Sequence, residues 1–156
     1  MNPNSTAKEQ SLKPTAVSHH EPKQKATEQS HELDERIVIA LQAAGDKKAL
    51  DPVVLDLREI ASFTDFFVLT SGANERQVQA IADEILERLK KTGNPAARVE
   101  GRKTAEWILL DYGDFIVHVF ADKARKFYDL ERLWRESKRV ELPSALVNPT
   151  SSLRTE

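Results

Sequence analysis

Residues 100–134 read EGRKTAEWILLDYGDFIVHVFADKARKFYDLERLW. Two apolar runs, Trp107 to Leu110 and Phe115 to Phe120, flank the polar break Asp111-Tyr112-Gly113-Asp114. A Gly in a short polar break between apolar runs signals a β-hairpin, because Gly tolerates the positive φ that the turn needs. Asp122 can then cap a helix that carries Phe127, Leu130 and Trp134 on one stripe. Hairpin and helix together hold more large side chains than any other part of the chain.

Strand alternation sorts the hairpin into two faces. Trp107 points with Leu109 and Asp111, opposite Ile108 and Leu110. His118 points with Ile116 and Phe120. If Ile108 and Leu110 face the helices, Trp107 faces the less covered side. The residues alone leave Trp107 open between a packed core ring and an interface hot spot, a role Trp suits because it desolvates a large rigid area.

Upstream, Ser30 can cap a first helix with Leu33, Ile37, Leu41 and Ala44 on one face and Gly45 at its end. Val53 to Leu57 reads as a strand that Pro52 could open. Residues 58–65 form a loop. Phe66 to Thr70 is apolar without alternation, as expected of a central strand buried on both faces. Asn74 is placed as the N-cap of the longest helix, with Gln77 three residues on to reach back. Val78, Ile81, Ala82, Ile85 and Leu89 form its buried stripe, and Gly93 and Pro95 stop it. Arg98 to Glu100 is a short strand. The order is α-β-β-α-β-β-β-α, an α/β (α+β mixed) fold with a five-stranded mixed sheet and flanking helices. Three helices cannot easily cover both faces of such a sheet, so part of one face should stay open as a binding surface.

Of 156 residues, 40% are hydrophobic and 31% charged, which suits one domain. Residues 1–31 are polar and Pro-interrupted and are expected to be a disordered tail. Residues 32–142 form the domain, and 143–156 a flexible C-terminal tail. The formal net charge of −2 argues against a nucleic-acid binder held by phosphate contacts alone. There is no Cys, which excludes thiolate chemistry and favours a cytoplasmic setting. No apolar run approaches the ~20 residues that cross a bilayer, and the first residues lack the apolar core of a signal peptide.

Candidate catalytic groups each have a simpler structural reading. Ser71-Gly72 lies where phosphate loops sit but lacks their further Gly and Lys, so it reads as a turn. Asp111 and Asp114 could pair on a metal, but Asp flanking a hairpin turn commonly bonds nearby backbone. His118 reads as a core histidine with one hydrogen-bond partner, since no Ser stands out as its nucleophile. His19-His20 has no third ligand at metal-site spacing. The charges between Ala121 and Val140 read mainly as the solvated side of an amphipathic helix, with Tyr128 and Trp134 interleaved.

The ordered set Ser62-Phe63-Thr64-Asp65, Ser71-Gly72, Arg76-Gln77-Val78, Ile81-Ala82-Asp83, Glu100-Gly101, Trp107, Gly113-Asp114, Val117 to Phe120, Arg125, Phe127-Tyr128 and Leu130-Glu131 with Leu133-Trp134 resembles the ribosomal silencing factor RsfS, or Iojap-like, family. The resemblance runs over roughly Leu33 to Glu136. It implies a nucleotidyltransferase-like fold used without catalysis, with no cofactor and no metal. It implies binding to the large ribosomal subunit through its protein fourteen. Such binding would block joining of the small subunit and repress translation under nutrient limitation, with a further link to ribosome biogenesis. It also implies homodimers and leaves room for ribosomal RNA contact, with no role at DNA or membranes. It brings forward Trp107 and Tyr128 as partner contacts, with Glu100, Lys103 and Arg125 as neighbours. A divergent metal-dependent nucleotidyltransferase is the alternative.

Overall fold

The computed structural model describes residues 33–147. In chain order the elements are α1 (Glu35–Asp46), β1 (Leu50–Asp56), β2 (Phe66–Gly72), α2 (Glu75–Lys91), β3 (Arg98–Glu100), β4 (Trp107–Asp111), β5 (Phe115–Ala121), α3 (Asp122–Tyr128), α4 (Leu130–Leu133), β6 (Lys138–Val140) and α5 (Ser144–Val147). The strands form one sheet in the order β3-β4-β5-β2-β1-β6. Only β2 and β5 run parallel; the other neighbours are antiparallel, so the sheet is mixed as expected. It has six strands rather than five. The missed strand, β6, is a three-residue edge strand containing Lys138 and Arg139, too short and too charged to show alternation.

The helix-covered face is built mainly from aliphatic residues. Ile108, Leu110, Val117, Val119 and Val54 are fully buried there. Helix α2 lies against β2, β4 and β5, and α1 packs on α2. The stripe Val78, Ile81, Ala82, Ile85 and Leu89 is buried as its spacing requires. Asn74 caps the helix by accepting from the Gln77 amide at 2.9 Å, and Gln77 Oε1 accepts from the Ala73 amide at 2.7 Å. Arg88 ties the helix pair together through ion pairs to Glu84 and to Asp46 of α1. All of β2 is buried, which fits its central position and its run of apolar residues.

The opposite face has a second core of Val53, Leu55, Leu57, Phe67, Leu69, Ile116, Phe120, Ala124 and Leu130. Helices α3 and α4 contribute Ala124 and Leu130, so the middle of this face is covered and only its margins are open.

Four local expectations are corrected. The last helix is two short helices, because Asp129 adopts a left-handed conformation (φ 49°, ψ 54°) between them. Phe127, Leu130 and Trp134 therefore share no stripe: Leu130 is buried, Trp134 half-buried and Phe127 exposed. Asp122 begins α3 instead of capping it, and Ala121 holds the cap position. Gly45 lies inside α1, and the positive φ after that helix falls on Lys48. Pro52 sits in a register irregularity of β1 between Leu50 and Val53, next to Asp51 at φ 46°. The expected cap Ser30 and residues 1–31 lie outside the described residues. In the segment from residue 143 onward, Ser144–Val147 form a helical turn against α1.

Candidate partner-docking face

The β4–β5 hairpin builds the site. Tyr112 donates its amide to the Phe115 carbonyl at 3.0 Å, and Asp111 Oδ1 accepts from the Gly113 amide at 2.9 Å. Gly113 closes the turn at φ 87°, where a side chain would be strained. Across the ladder Trp107 faces Phe120, and Leu109 faces His118. Trp107 and His118 are thus diagonal neighbours on one face.

Gly101 sets the entry to β4. Its φ is 86°, and a Cβ there would fall 2.0 Å from the Trp107 carbonyl oxygen, so only Gly lets the loop return so closely. The Ala105 amide donates to the Gly101 carbonyl at 3.0 Å, and the Glu106 carbonyl accepts from the Ala121 amide at 2.8 Å. These bonds fix the backbone on which Trp107 stands.

Trp107 is half-buried and joins a continuous band of rings. Its ring centroid lies 4.9 Å from both Phe120 and Tyr128, and Tyr128 is 5.0 Å from Phe127. In the other direction the band passes through His118 to Phe67, 4.5 Å away, then to Trp134 and Phe63. Its two ends are open: Tyr128 is 45% and Phe127 80% exposed at one, and Phe63 57% exposed at the other. Leu133, next to Trp134 in sequence, is 71% exposed. Sequence reading did not single out Phe63, Phe127 or Leu133 as exposed. Phe63 in a loop between two strands was the available sign; for Phe127 the helix break at Asp129 hid it.

The expected contact residues separate into three groups. Trp107 and Tyr128 come together as ring neighbours, with Trp107 opposite Ile108 and Leu110 as alternation requires. Glu100 is exposed and faces Leu109 across the β3–β4 ladder, which puts it on the Trp107 side, where it pairs with Arg98 at 3.1 Å. Lys103 is exposed in the loop between β3 and β4. Arg125 turns inward. Only 8% exposed, it pairs with Glu131 at 3.2 Å and donates to Ser71 Oγ at 3.3 Å and the Leu50 carbonyl at 3.4 Å. It braces α3, which carries Tyr128, against β2 and α4.

His118 is 3% exposed and has one hydrogen-bond partner, as expected of a core histidine. Its Nδ1 accepts from Trp107 Nε1 at 3.0 Å. The ring proton therefore sits on Nε2, which has no partner. Burial lowers the His118 pKa to about 3, so the ring is neutral at physiological pH and cannot act as a general acid there. The hairpin carboxylates are engaged in structural bonds. Asp111 accepts from Gly113 and lies 3.6 Å from Arg98, and Asp114 pairs with Arg36 at 2.9 Å. Among the described residues no group of three or more His, Asp or Glu could hold a metal, and no helix is long and apolar enough to cross a membrane.

The described residues thus define a mixed-sheet α/β domain with one helix-covered face and an aromatic band open at its ends. Residues 27–156 match the model of the family RsfS, ribosomal silencing factor during starvation, and the chain belongs to that family. A relative named ribosomal silencing factor RsfS, from Halalkalibacterium halodurans, is 40% identical over 112 residues, covering 72% of this chain and 96% of the relative. A crystal structure of a Bacillus halodurans protein is 42% identical, with a TM-score of 0.60 over 67% of this chain and 94% of that one. A mouse relative, named mitochondrial assembly of ribosomal large subunit protein 1, is 29% identical over 91 residues, 56% of this chain and 40% of its own. The resemblance seen in the sequence and the mixed α/β fold are both borne out.

Proposed function

We propose that the protein docks on the large ribosomal subunit through the aromatic face, on its protein fourteen, and there blocks association with the small subunit. Translation would then be repressed when nutrients are short. The observation that carries this reading is the contact between Trp107 and Tyr128 at 4.9 Å, with both rings reaching the surface beside exposed Phe127. A half-buried Trp next to exposed aromatics is the type of side chain that dominates interface energetics. Family membership and the mouse relative's name point to the large subunit as partner. Trp107 and Tyr128 are the central contacts, with Glu100 and Lys103 at the rim. Arg125 acts by holding α3 in place. The action is steric and needs no catalysis.

Co-sedimentation with purified large subunits tests the reading. Trp107→Ala and Tyr128→Ala should each weaken binding by about thirtyfold, or ~2 kcal/mol, while the proteins stay folded. Folded variants that bind as well as the wild type would sink it.

A further inference from the structure

We infer that His118 is a positioning residue for the docking face: it holds the Trp107 indole in the orientation that meets the partner, by accepting its Nε1–H, and itself touches nothing outside the molecule. The inference rests on the proposed docking role of Trp107. The geometry has three parts. First, the bond joins a buried acceptor to a half-buried donor across adjacent strands, 3.0 Å long. An indole at the margin of a sheet has two soft side-chain torsions and, without a tether, loses rotamer freedom only when it docks. Second, His118 is held from the other side by Phe67 at 4.5 Å, edge to face, and by Phe120 at 6.2 Å, stacked. The acceptor cannot swing with the indole and so dictates its angle. Third, the arrangement leaves His118 Nε2 buried without a partner. Nδ1 is thus the ring's one satisfied polar atom, and the hydrogen bond it accepts from Trp107 is the ring's polar link to the rest of the described structure.

The test separates the acceptor from the bulk of the ring. Asn places its Oδ1 near the position of His Nδ1, and Leu has the same shape as Asn without an acceptor. In ¹⁵N-labelled protein the Trp107 indole N–H resonance is read directly and distinguished from Trp134 by a Trp134→Phe control. His118→Asn should keep the indole resonance slow to exchange with solvent and bind large subunits within about twofold of wild type. His118→Leu should shift the resonance, speed its exchange and weaken binding about tenfold. In a Trp107→Phe background, where no donor remains, His118→Leu should add no further loss. An unchanged indole resonance in His118→Leu, equal losses in the Asn and Leu variants, or additive losses in the Trp107→Phe background would each overturn the inference. Wild-type binding by Trp107→Ala would instead overturn the docking reading. Lost binding by Trp107→Ala with full binding by His118→Leu would remove the positioning role alone.

Discussion

On one face of the sheet Ile108, Leu110, Val117 and Val119 are fully buried beneath α2; on the other, Trp107 and Leu109 on the same strand stay half-buried. The covered face uses mainly aliphatic side chains and a 17-residue helix. The other adds rings, a buried histidine and two short helices broken at Asp129 to an aliphatic core. Aliphatic side chains under a long amphipathic helix gain most by complete removal from water. Rings keep a useful edge or polar tip when only partly covered, which lets one surface serve both packing and recognition. One strand, β4, supplies both faces through simple alternation.

The widest test of this division is to truncate one residue on each side of β4. Leu110→Ala should cost ~2–5 kcal/mol of folding stability, because it opens a cavity under α2 that the aliphatic wall cannot fill. Its melting temperature should fall by many degrees, and ribosome binding should fall only as far as the folded fraction does. Trp107→Ala, three residues earlier, should invert the pattern, with a smaller stability loss and the larger effect on binding. Equal stability losses at the two positions would erase the distinction between the faces.

The covered face was legible in the sequence because its rules are local. The stripe of α2, its Asn74 cap and the alternation of β4 are each set by residues a few positions apart. The other face depends on contacts between distant segments. Phe127, Leu130 and Trp134 have helical spacing, but Asp129 takes a left-handed conformation that spacing cannot reveal. Arg125 reads as a solvated charge until Ser71, the Leu50 carbonyl and Glu131 gather around it. Parallel pairing of β2 with β5 places Phe67 beside His118 from some fifty residues away, so the aromatic band emerges only with the sheet. The face on which Trp107 lies was nevertheless legible, because it follows from its own strand.

A second test uses pH to weigh the aromatic face alone. His118 is neutral in the folded protein with a pKa of about 3, against an ordinary value of 6.5. Between those values the unfolded chain binds a proton that the folded chain does not, so stability rises with pH and falls on acidification. The slope is about 1.4 kcal/mol per pH unit at full effect. Lowering pH from 6.5 to about 4.5 should thus cost ~2–3 kcal/mol, and His118→Asn should lose markedly less over the same window. Asp56, whose pKa is lowered from 3.8 mainly by its hydrogen bond to Arg58, weakens the fold only below that window. Parallel urea-denaturation curves at the two pH values check this. An identical acid loss in wild type and His118→Asn would mean that the ring gains solvent or a partner in the folded state.

The smallest effect is expected at the covered face's own unpartnered group. Tyr112 stacks on Phe115 with ring centroids 5.0 Å apart and planes 14° apart, and its buried hydroxyl has no hydrogen-bond partner. Burial raises its pKa to about 12 from 10.0. A raised phenol pKa means that the folded state favours the neutral form. The associated stability is present below pH 10 and is lost as pH rises toward 12. Removing the hydroxyl takes away a desolvated group and keeps the stacked ring. Tyr112→Phe should therefore change stability at neutral pH by no more than ~1 kcal/mol, in the stabilising direction. At about pH 11 it should also be spared the alkaline loss seen in wild type. Thermal melts at the two pH values provide the measurement. The contrast with His118 gives the experiment its meaning. Among the described residues two buried side-chain polar atoms lack a partner, Tyr112 Oη on the covered side and His118 Nε2 on the aromatic side. His118 gains a hydrogen bond to Trp107 through its other nitrogen; Tyr112 has no second polar atom through which to gain one. A large loss on Tyr112→Phe would show that the hydroxyl has a partner after all, and the two faces would then differ less than their side chains suggest.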